Sequence, residues 1–205
     1  MKYSHNGKFI TFEGCEGVGK STQIAMLERY LTEKGVPCLF TREPGGTGVG
    51  ERLRGIIKDE SLTMQAETEL MLFESARLEN TLSVIIPALE EGKLVVADRY
   101  IHSTLAYQAY GRGLDKAFVN RLNEIGSANV RIDLTVFLDA PPFANTNRSA
   151  EDRMEKAGNN FHQRVYEGYK AIASENPLFA PVKTQDRIED TFASIIKLLK
   201  ERGIL

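Results

Sequence analysis

The chain has 205 residues, of which 42% are apolar, 26% charged and 8% aromatic. This composition is typical of a soluble globular domain and argues against a disordered chain or a membrane protein. The 26 basic and 28 acidic side chains nearly balance, so we expect neither a surface that binds polyanions in general nor a nucleic-acid partner. Two cysteines without a C-x-x-C pair, and no apolar stretch long enough for a signal peptide or membrane span, predict a cytoplasmic protein without a zinc site.

Short apolar runs alternate with amphipathic stretches along the chain, and glycine or proline marks most boundaries. The predicted strands cover residues 8–13, 38–41, 94–98 and 133–139, with a weak fifth strand near 182–184. The predicted helices cover residues 19–34, 66–91 with a kink at Pro87, a segment after Tyr100 that ends in GRGLD, 115–125, 160–174 and 189–202. This alternation predicts an α/β fold in which a parallel five-stranded sheet is covered by helices on both faces, as one domain over residues 1–205.

The first predicted strand runs into GCEGVGKS, residues 14–21, which fits G-x-x-x-x-G-K-[ST] at every fixed position and opens a helix. Glycines allow successive backbone N–H groups to surround phosphate oxygens at the positive end of a helix. Lys20 is expected to reach the β and γ phosphates, and the Ser21 hydroxyl to bind Mg²⁺. The predicted ATP-binding residues of this loop are Gly14, Cys15, Glu16, Gly17, Val18, Gly19, Lys20, Ser21 and Thr22.

A carboxylate at the end of a neighbouring strand is the usual second element of such a magnesium site. Asp98 ends the apolar strand LVVAD, so we predict that it contacts the metal through a bound water. The same residue type after a buried strand also serves as a helix cap or turn former.

Three arginines stand at element ends from which their side chains could converge on a second anion: Arg42, Arg77 and Arg99. The guanidinium fork suits phosphate, and ligands of open parallel sheets bind beyond the carboxyl ends of the strands. Each arginine could instead form an ordinary salt bridge with a nearby carboxylate. Phe73 lies one helical turn before Arg77, where it could stack on a flat base or simply pack in the core.

The segments FEGCEGVGKSTQ, TREPGGT, LMLFESAR, DRYIHSTLAYQAYGRGLD and FLDAPP, in this order over residues 8–142, resemble the thymidylate kinase family. Weaker similarity continues through DRMEK and FHQRVYEGYK. The resemblance implies a three-layer P-loop NTPase fold with a short lid over about residues 142–159. It also implies transfer of the γ-phosphoryl group of ATP to dTMP, giving ADP and dTDP with Mg²⁺, in a homodimer.

The resemblance also implies individual roles. Arg42 and Arg99 would hold the dTMP phosphate, Phe73 would stack on thymine, and Arg77 would lie against the base or phosphate. Tyr107 occupies the position that crowds out a 2′-hydroxyl. The other implied pocket residues are Ser103, Thr104 and Gln108.

The catalytic residues implied are Lys20, Arg99, Glu16 and Arg153. Glu16 would lie near the sugar 3′-hydroxyl and the metal. Because the phosphate loop contains no additional basic residue, the lid must supply positive charge from Arg153 or Lys156, or from Arg148, which we also expect to bind ATP. The lid is shorter here than in the bacterial form of the family and lacks its arginine-rich segment.

Two other functions stay open at this point. The chain could be a related P-loop kinase that acts on another deoxynucleotide or on a deoxynucleoside. It could also be a nucleotide-binding regulatory module that has lost catalysis, although the intact Lys20, Ser21 and Asp98 favour an enzyme.

Overall fold

The computed structural model of the chain describes residues 6–144, 153, 154 and 157–205. Its strands are β1 (Lys8–Glu13), β2 (Cys38–Arg42), β3 (Leu94–Asp98), β4 (Leu134–Asp139) and β5 (Phe179–Lys183). Its α-helices are α1 (Lys20–Glu33), α2 (Gly48–Lys58), α3 (Ala66–Asn80), α4 (Ile86–Glu90), α5 (Ile101–Thr104), α6 (Lys116–Gly126), α7 (Asn159–Glu175) and α8 (Ile188–Glu201). Two π-helical segments, Thr81–Ile85 and Leu105–Gly111, continue α3 and α5.

The five strands form one parallel sheet in the order β2-β3-β1-β4-β5. The predicted parallel sheet with flanking helices is therefore confirmed. Strand β1 is central, and its register places Phe12 beside Asp98 of β3. The carboxyl ends of these strands thus meet at one edge of the sheet, where ligands of open α/β sheets bind.

Side chains of β1 alternate between two cores, as the two-residue period of a strand requires. Ile10 and Phe12 belong to the larger core, which also contains residues of α1, α7 and α8. Phe9 faces the opposite side and packs with Tyr100 and with residues of β3 and α4. Burial on both faces explains why the strands are apolar almost throughout.

Helix α2 was not predicted, because its sequence GVGERLRGIIK contains three glycines, which lower intrinsic helix propensity. The helix begins at a side-chain cap, in which Thr47 Oγ1 accepts a hydrogen bond from the Gly50 N–H at 2.9 Å. The fifth strand was predicted near residues 182–184 but begins earlier, at Phe179. The predicted helix over 66–91 is divided by a π-helical segment just before Pro87, whose missing N–H cannot continue an α-helical ladder.

Much of the segment predicted as the lid, including Arg148 and Lys156, lies outside the described residues. Across the residues that the structure does describe, no helix combines the length and the apolar character needed to cross a membrane.

The buried ring of His102 is expected to make the protein less stable in acid. Its Nδ1 lies 3.2 Å from Oγ1 of Thr135, and its Nε2 lies 3.4 Å from Nδ2 of Asn176. Burial, together with the nearby charge of Arg77, lowers the pKa of His102 from 6.5 to about 4. Between these pH values the unfolded chain binds a proton that the folded chain does not, so stability falls as the pH falls. The loss should approach about 3 kcal/mol below the folded pKa.

Urea unfolding across this pH range checks the expectation, with His102→Gln as the comparison because glutamine does not titrate. The variant should show a shallower loss of unfolding free energy between neutral pH and pH 4 than the parent, whatever its stability at neutral pH. Parallel pH profiles for the two proteins would contradict this role of His102.

Candidate active site

A cavity of about 590 Å³ opens at the carboxyl ends of the strands, beside the glycine loop that follows β1. It brings together most of the residues that the sequence predicted for two separate phosphate-bearing ligands. The predicted residues that line it are Glu16, Gly17, Val18, Gly19, Lys20, Ser21, Thr22, Arg42, Phe73, Arg77, Asp98, Arg99, Ser103, Thr104, Tyr107 and Gln108.

The loop itself has the backbone geometry that its glycines permit. Gly17 and Gly19 have φ values of 68° and 93°, which residues with a Cβ rarely adopt. Lys20 is 7% exposed, and its Nζ donates to the carbonyl oxygens of Gly14 and Cys15 at 3.1 and 3.0 Å. The loop thus holds the ammonium group at the start of α1, where the helix dipole also favours an anion.

Cys15 belongs to the loop but not to the cavity wall. Its side chain is buried, and burial raises the pKa of the thiol to about 12. We therefore expect any contact of Cys15 with nucleotide to come from its backbone.

Glu16 and Arg99 form an ion pair on the wall of the cavity. Arg99 Nη2 donates to Glu16 Oε1 at 2.8 Å, and the Tyr107 hydroxyl donates to the same oxygen at 3.1 Å. Burial alone would raise the pKa of Glu16, but the charges of Arg99 and Lys20 outweigh it and lower the pKa to about 2. Glu16 is therefore a carboxylate at neutral pH.

The backbone of Arg99 is left-handed, with φ of 70° at a residue that carries a Cβ. Such a conformation costs on the order of 1–3 kcal/mol and persists only where the surroundings fix it. The Arg99 N–H donates to the carbonyl of Phe12 at 2.9 Å, and the following N–H, of Tyr100, donates to Glu13 Oε1 at 2.9 Å. These bonds to β1 hold the strained residue at the cavity.

The oxygen ligands present fit a magnesium ion. Within the described part of the chain, Oδ1 of Asp98 is buried and has no hydrogen-bond partner, although a buried carboxylate oxygen normally has one. The Ser21 side chain is exposed on the wall of the same cavity. Magnesium in phosphate-transfer sites typically uses one or two such protein oxygens, with waters and substrate phosphates as the other ligands. The described residues contain no cluster of three or more His, Cys, Asp or Glu side chains that could hold a metal ion.

Arg77 reaches the cavity wall from a buried cluster of polar groups. Its Nε donates to Glu43 at 2.7 Å, and its Nη1 donates to Glu74 at 2.5 Å and to Asn123 at 2.8 Å. The guanidinium also lies over the ring of Tyr100, with Cζ 5.3 Å from the ring centroid. Arg77 is 1% exposed, so these partners fix its orientation. Arg77 therefore forms salt bridges, as the alternative interpretation predicted, and it also lines the pocket.

The predicted base and sugar residues line the cavity beside this cluster. Phe73 lies one helical turn before Arg77 on α3 and is partly exposed. The Thr104 hydroxyl is buried and has no hydrogen-bond partner among the described residues. The Gln108 amide donates to Glu69 at 2.9 Å. Thr104 therefore has an unused hydroxyl in a pocket where a polar ligand edge can bind it.

Two more of the predicted residues form ion pairs; for Arg42 the alternative of an ordinary salt bridge is therefore also correct. Arg42, with its side chain 57% exposed, donates to Glu51 of α2 at 2.9 Å. Arg153 is not part of the cavity wall; its Nη1 lies 2.6 Å from Glu69 Oε2, and its Nε donates to the Ile57 carbonyl at 3.0 Å.

Several residues that shape the site were not predicted from the sequence. Those on the wall are Glu43, Pro44, Arg54, Ile57, Lys58, Phe143 and Met154. Five of them belong to or precede α2, so recognising the cap at Thr47 and the apolar spacing of Leu53 and Ile57 could have found this wall. For Glu13 and Glu69 the sequence offers only a weak indication of a role in the site. Each is a carboxylate within a mostly apolar strand or helix face.

Comparisons with known proteins agree with this geometry. The model of the thymidylate kinase family matches residues 12–195. The chain is 41% identical to a thymidylate kinase of Finegoldia magna, over 96% of this chain and all of that protein. It is 46% identical to a thymidylate kinase of Dehalococcoides mccartyi, over 82% of this chain and 83% of that protein. The crystal structure of thymidylate kinase from Ehrlichia chaffeensis superposes with a TM-score of 0.80 at 36% identity, covering 95% of this chain and 98% of that one.

The family model and the relatives match most of the chain, including the phosphate loop and the arginines of the cavity. The chain therefore belongs to the thymidylate kinase family.

Proposed function

We propose that this chain transfers the γ-phosphoryl group of ATP to dTMP, giving ADP and dTDP. The observation that carries the proposal is that one cavity is lined both by the phosphate-loop cation, Lys20, and by Arg42 and Arg99 at the ends of β2 and β3. Two anionic phosphates bound by these groups would meet within the cavity, where positioning and cations lower the barrier.

On the ATP side, the loop amides and Lys20 would hold the phosphates, with Thr22 next to Ser21 at the helix start. Ser21 and Asp98 would hold Mg²⁺, Asp98 through a water. The ion would neutralise charge on the transferring group when bound. The acceptor phosphate is already anionic, so no residue is needed to remove a proton from it.

On the acceptor side, Arg99 and Arg42 would bind the dTMP phosphate. Phe73 would stack on thymine, while Arg77, Thr104 and Gln108 would contact its polar edge. Tyr107 is fixed by its bond to Glu16 and would exclude a ribose 2′-hydroxyl. Glu16, ionised beside Arg99, would accept from the sugar 3′-hydroxyl.

A panel of acceptors with MgATP tests this proposal by coupled ADP release. The expected kcat/KM for dTMP exceeds that for dCMP and for thymidine by about a hundred-fold or more, because mismatched polar groups in a buried pocket are left unpaired. Faster phosphorylation of dCMP or thymidine would favour a kinase of another specificity. ATP binding without ADP release for any acceptor would instead support the regulatory module.

We also propose that Arg153 supplies charge to the transition state, together with Arg148. Arg153→Ala should then lower kcat far more than it raises the dTMP KM, because an interaction made only in the transition state affects kcat. Arg112→Ala is the matched control, since Arg112 also bonds Glu69, at 3.0 Å. An unchanged kcat for Arg153→Ala would remove this residue from the mechanism.

The proposed assembly is a homodimer located in the cytoplasm. Helix α3 packs beside both α2 and α6, and large apolar side chains are exposed on all three helices: Val49, Ile56, Met71, Phe118 and Ile125. A second copy covering them would explain an apolar patch of this kind on a folded surface. Neither cysteine forms a disulfide, which suits a reducing compartment.

A further inference from the structure

Glu13 is a fully buried carboxylate at the end of β1, directly before the phosphate loop. Its Oε1 accepts from the backbone N–H groups of Tyr100 and Ser103 at 2.9 and 3.1 Å. Its Oε2 accepts from the Ser103 hydroxyl at 2.5 Å and from the Tyr169 hydroxyl at 2.8 Å. Four donors thus surround a group that, when ionised, can only accept.

The two hydroxyls that bond Glu13 also contact Arg99. Arg99 Nη1 lies 3.1 Å from the Tyr169 hydroxyl oxygen and 3.2 Å from Ser103 Oγ. Each hydroxyl has a single proton, so when that proton goes to the Glu13 carboxylate, the oxygen presents only lone pairs to the guanidinium. The two hydroxyl oxygens also lie 2.9 Å apart, but the charged carboxylate is the stronger acceptor for both protons, so Glu13 orients both hydroxyls.

These contacts fix one half of the guanidinium fork. The two hydrogens of Nη1 are shared among the two hydroxyl oxygens and the Gly14 carbonyl, which lies at 3.0 Å, while Nη2 donates to Glu16. The same carboxylate, Glu13, also receives the N–H of Tyr100, the residue after the left-handed Arg99. Side chain and backbone of Arg99 are thus oriented from one buried group.

We propose that Tyr169 and Glu13 are positioning residues for Arg99: the carboxylate orients the Tyr169 hydroxyl, and that hydroxyl aims the guanidinium at the acceptor phosphate. The inference rests on the proposed role of Arg99 in binding that phosphate. Tyr169 lies on α7, which follows the predicted lid in the chain. A helix that contains neither the phosphate loop nor the predicted acceptor-binding residues would therefore affect the affinity for the acceptor.

Tyr169→Phe tests the inference because it removes only the hydroxyl. The ring stacks on Phe137 at a centroid distance of 5.4 Å and packs against Phe179 and Tyr107, contacts that phenylalanine retains. The dTMP KM should rise about ten-fold, the size expected for one lost hydrogen bond to a charged group. The ATP KM should change less than about two-fold, because among the described residues this hydroxyl bonds Glu13, Ser103 and Arg99 and none of the groups proposed to hold ATP.

Tyr166→Phe is the matched control. Tyr166 lies one turn earlier on α7, and its hydroxyl donates to Asp139 at 2.9 Å rather than to the Arg99 cluster. It should leave the dTMP KM unchanged. If both variants raise the KM of dTMP and of ATP equally, the effect is structural and the proposal is wrong.

Arg99→Lys separates the inference from the proposed function. Lysine lacks the fork, so Arg99→Lys should raise the dTMP KM, and adding Tyr169→Phe to it should change the KM by less than about two-fold. A raised KM in Arg99→Lys with a normal KM in Tyr169→Phe overturns the positioning role and leaves the proposed function intact. A normal dTMP KM in Arg99→Lys contradicts the phosphate-binding role of Arg99 itself.

Glu13→Gln provides a second route to the same question. The amide is nearly isosteric, but its NH₂ donates where Oε2 accepts, so a hydroxyl proton must turn toward Arg99. The dTMP KM should rise as in Tyr169→Phe, and the double variant should be no worse than either single one. Additive effects would overturn the proposal, because they would mean that the two residues act separately.

Discussion

Lys20→Ala is expected to lower kcat about a thousand-fold while the protein stays folded. The ammonium group is held on the carbonyls of Gly14 and Cys15 and lines the cavity at the expected position of the β and γ phosphates. Removing one preorganised cation from a site with developing negative charge costs two to three orders of magnitude, and this cation contacts the transferring group. Alanine is a good helix former at this first position of α1.

ADP release at saturating ATP and dTMP measures the effect, and circular dichroism checks the fold. Lys34→Ala is the control on the same helical segment, since Lys34 is exposed at the C-cap of α1 and, in the described part of the chain, its ammonium group contacts only the ring face of Tyr30. It should retain full activity. A Lys20→Ala protein that keeps a tenth or so of the parental kcat would show that the loop amides alone carry the phosphate contact.

Arg99→Ala is expected to reduce kcat/KM for dTMP about a thousand-fold. The variant loses the proposed phosphate ligand and also leaves Glu16 without its main cationic partner. Because Arg99 is the largest influence that lowers the pKa of Glu16, this pKa should rise from about 2 in the parent. The acidic limb of the pH–rate profile should therefore move to higher pH, with Glu16 protonated where it is ionised in the parent.

Steady-state kinetics as a function of pH, together with thermal unfolding, checks this prediction. Losing one partner of a mostly buried pair is also expected to lower stability by about 3–5 kcal/mol. Arg131→Ala is the control, because the exposed Arg131 pairs with Asp133 at the opposite end of the sheet, just before β4 begins. An Arg99→Ala enzyme with normal dTMP kinetics and a normal pH profile would exclude Arg99 from the site.

Local patterns were sufficient to predict most of the fold. The strands and most helices follow from apolar periodicity and from glycine or proline boundaries, as at Gly35 after α1. Helix α2 was not predicted because its three glycines lower the helix propensity of the segment. Its start depends on one hydrogen bond, from the Gly50 N–H to the Thr47 side chain. Such a cap is visible in the sequence only when the helix is already suspected.

Site residues that lie in sequence motifs could be predicted. Residues that matter because they contact distant parts of the chain could not. Lys20, Asp98 and Arg99 stand at element ends that a parallel sheet must bring together. Tyr169 and Glu69, in contrast, meet their partners across long stretches of sequence, and only the tertiary packing of α7 and α3 decides those contacts. No local pattern distinguishes them from ordinary buried polar residues.

The burial of Cys15 has a consequence for inhibitor chemistry. A thiol with a pKa near 12 is ionised in only about one molecule in 100,000 at neutral pH, and the thiolate is the reactive form. Electrophilic compounds directed at the phosphate loop should therefore leave this cysteine unmodified. Selective ligands for this enzyme would have to gain their affinity from reversible contacts, above all with the buried guanidinium of Arg77 and the unused hydroxyl of Thr104.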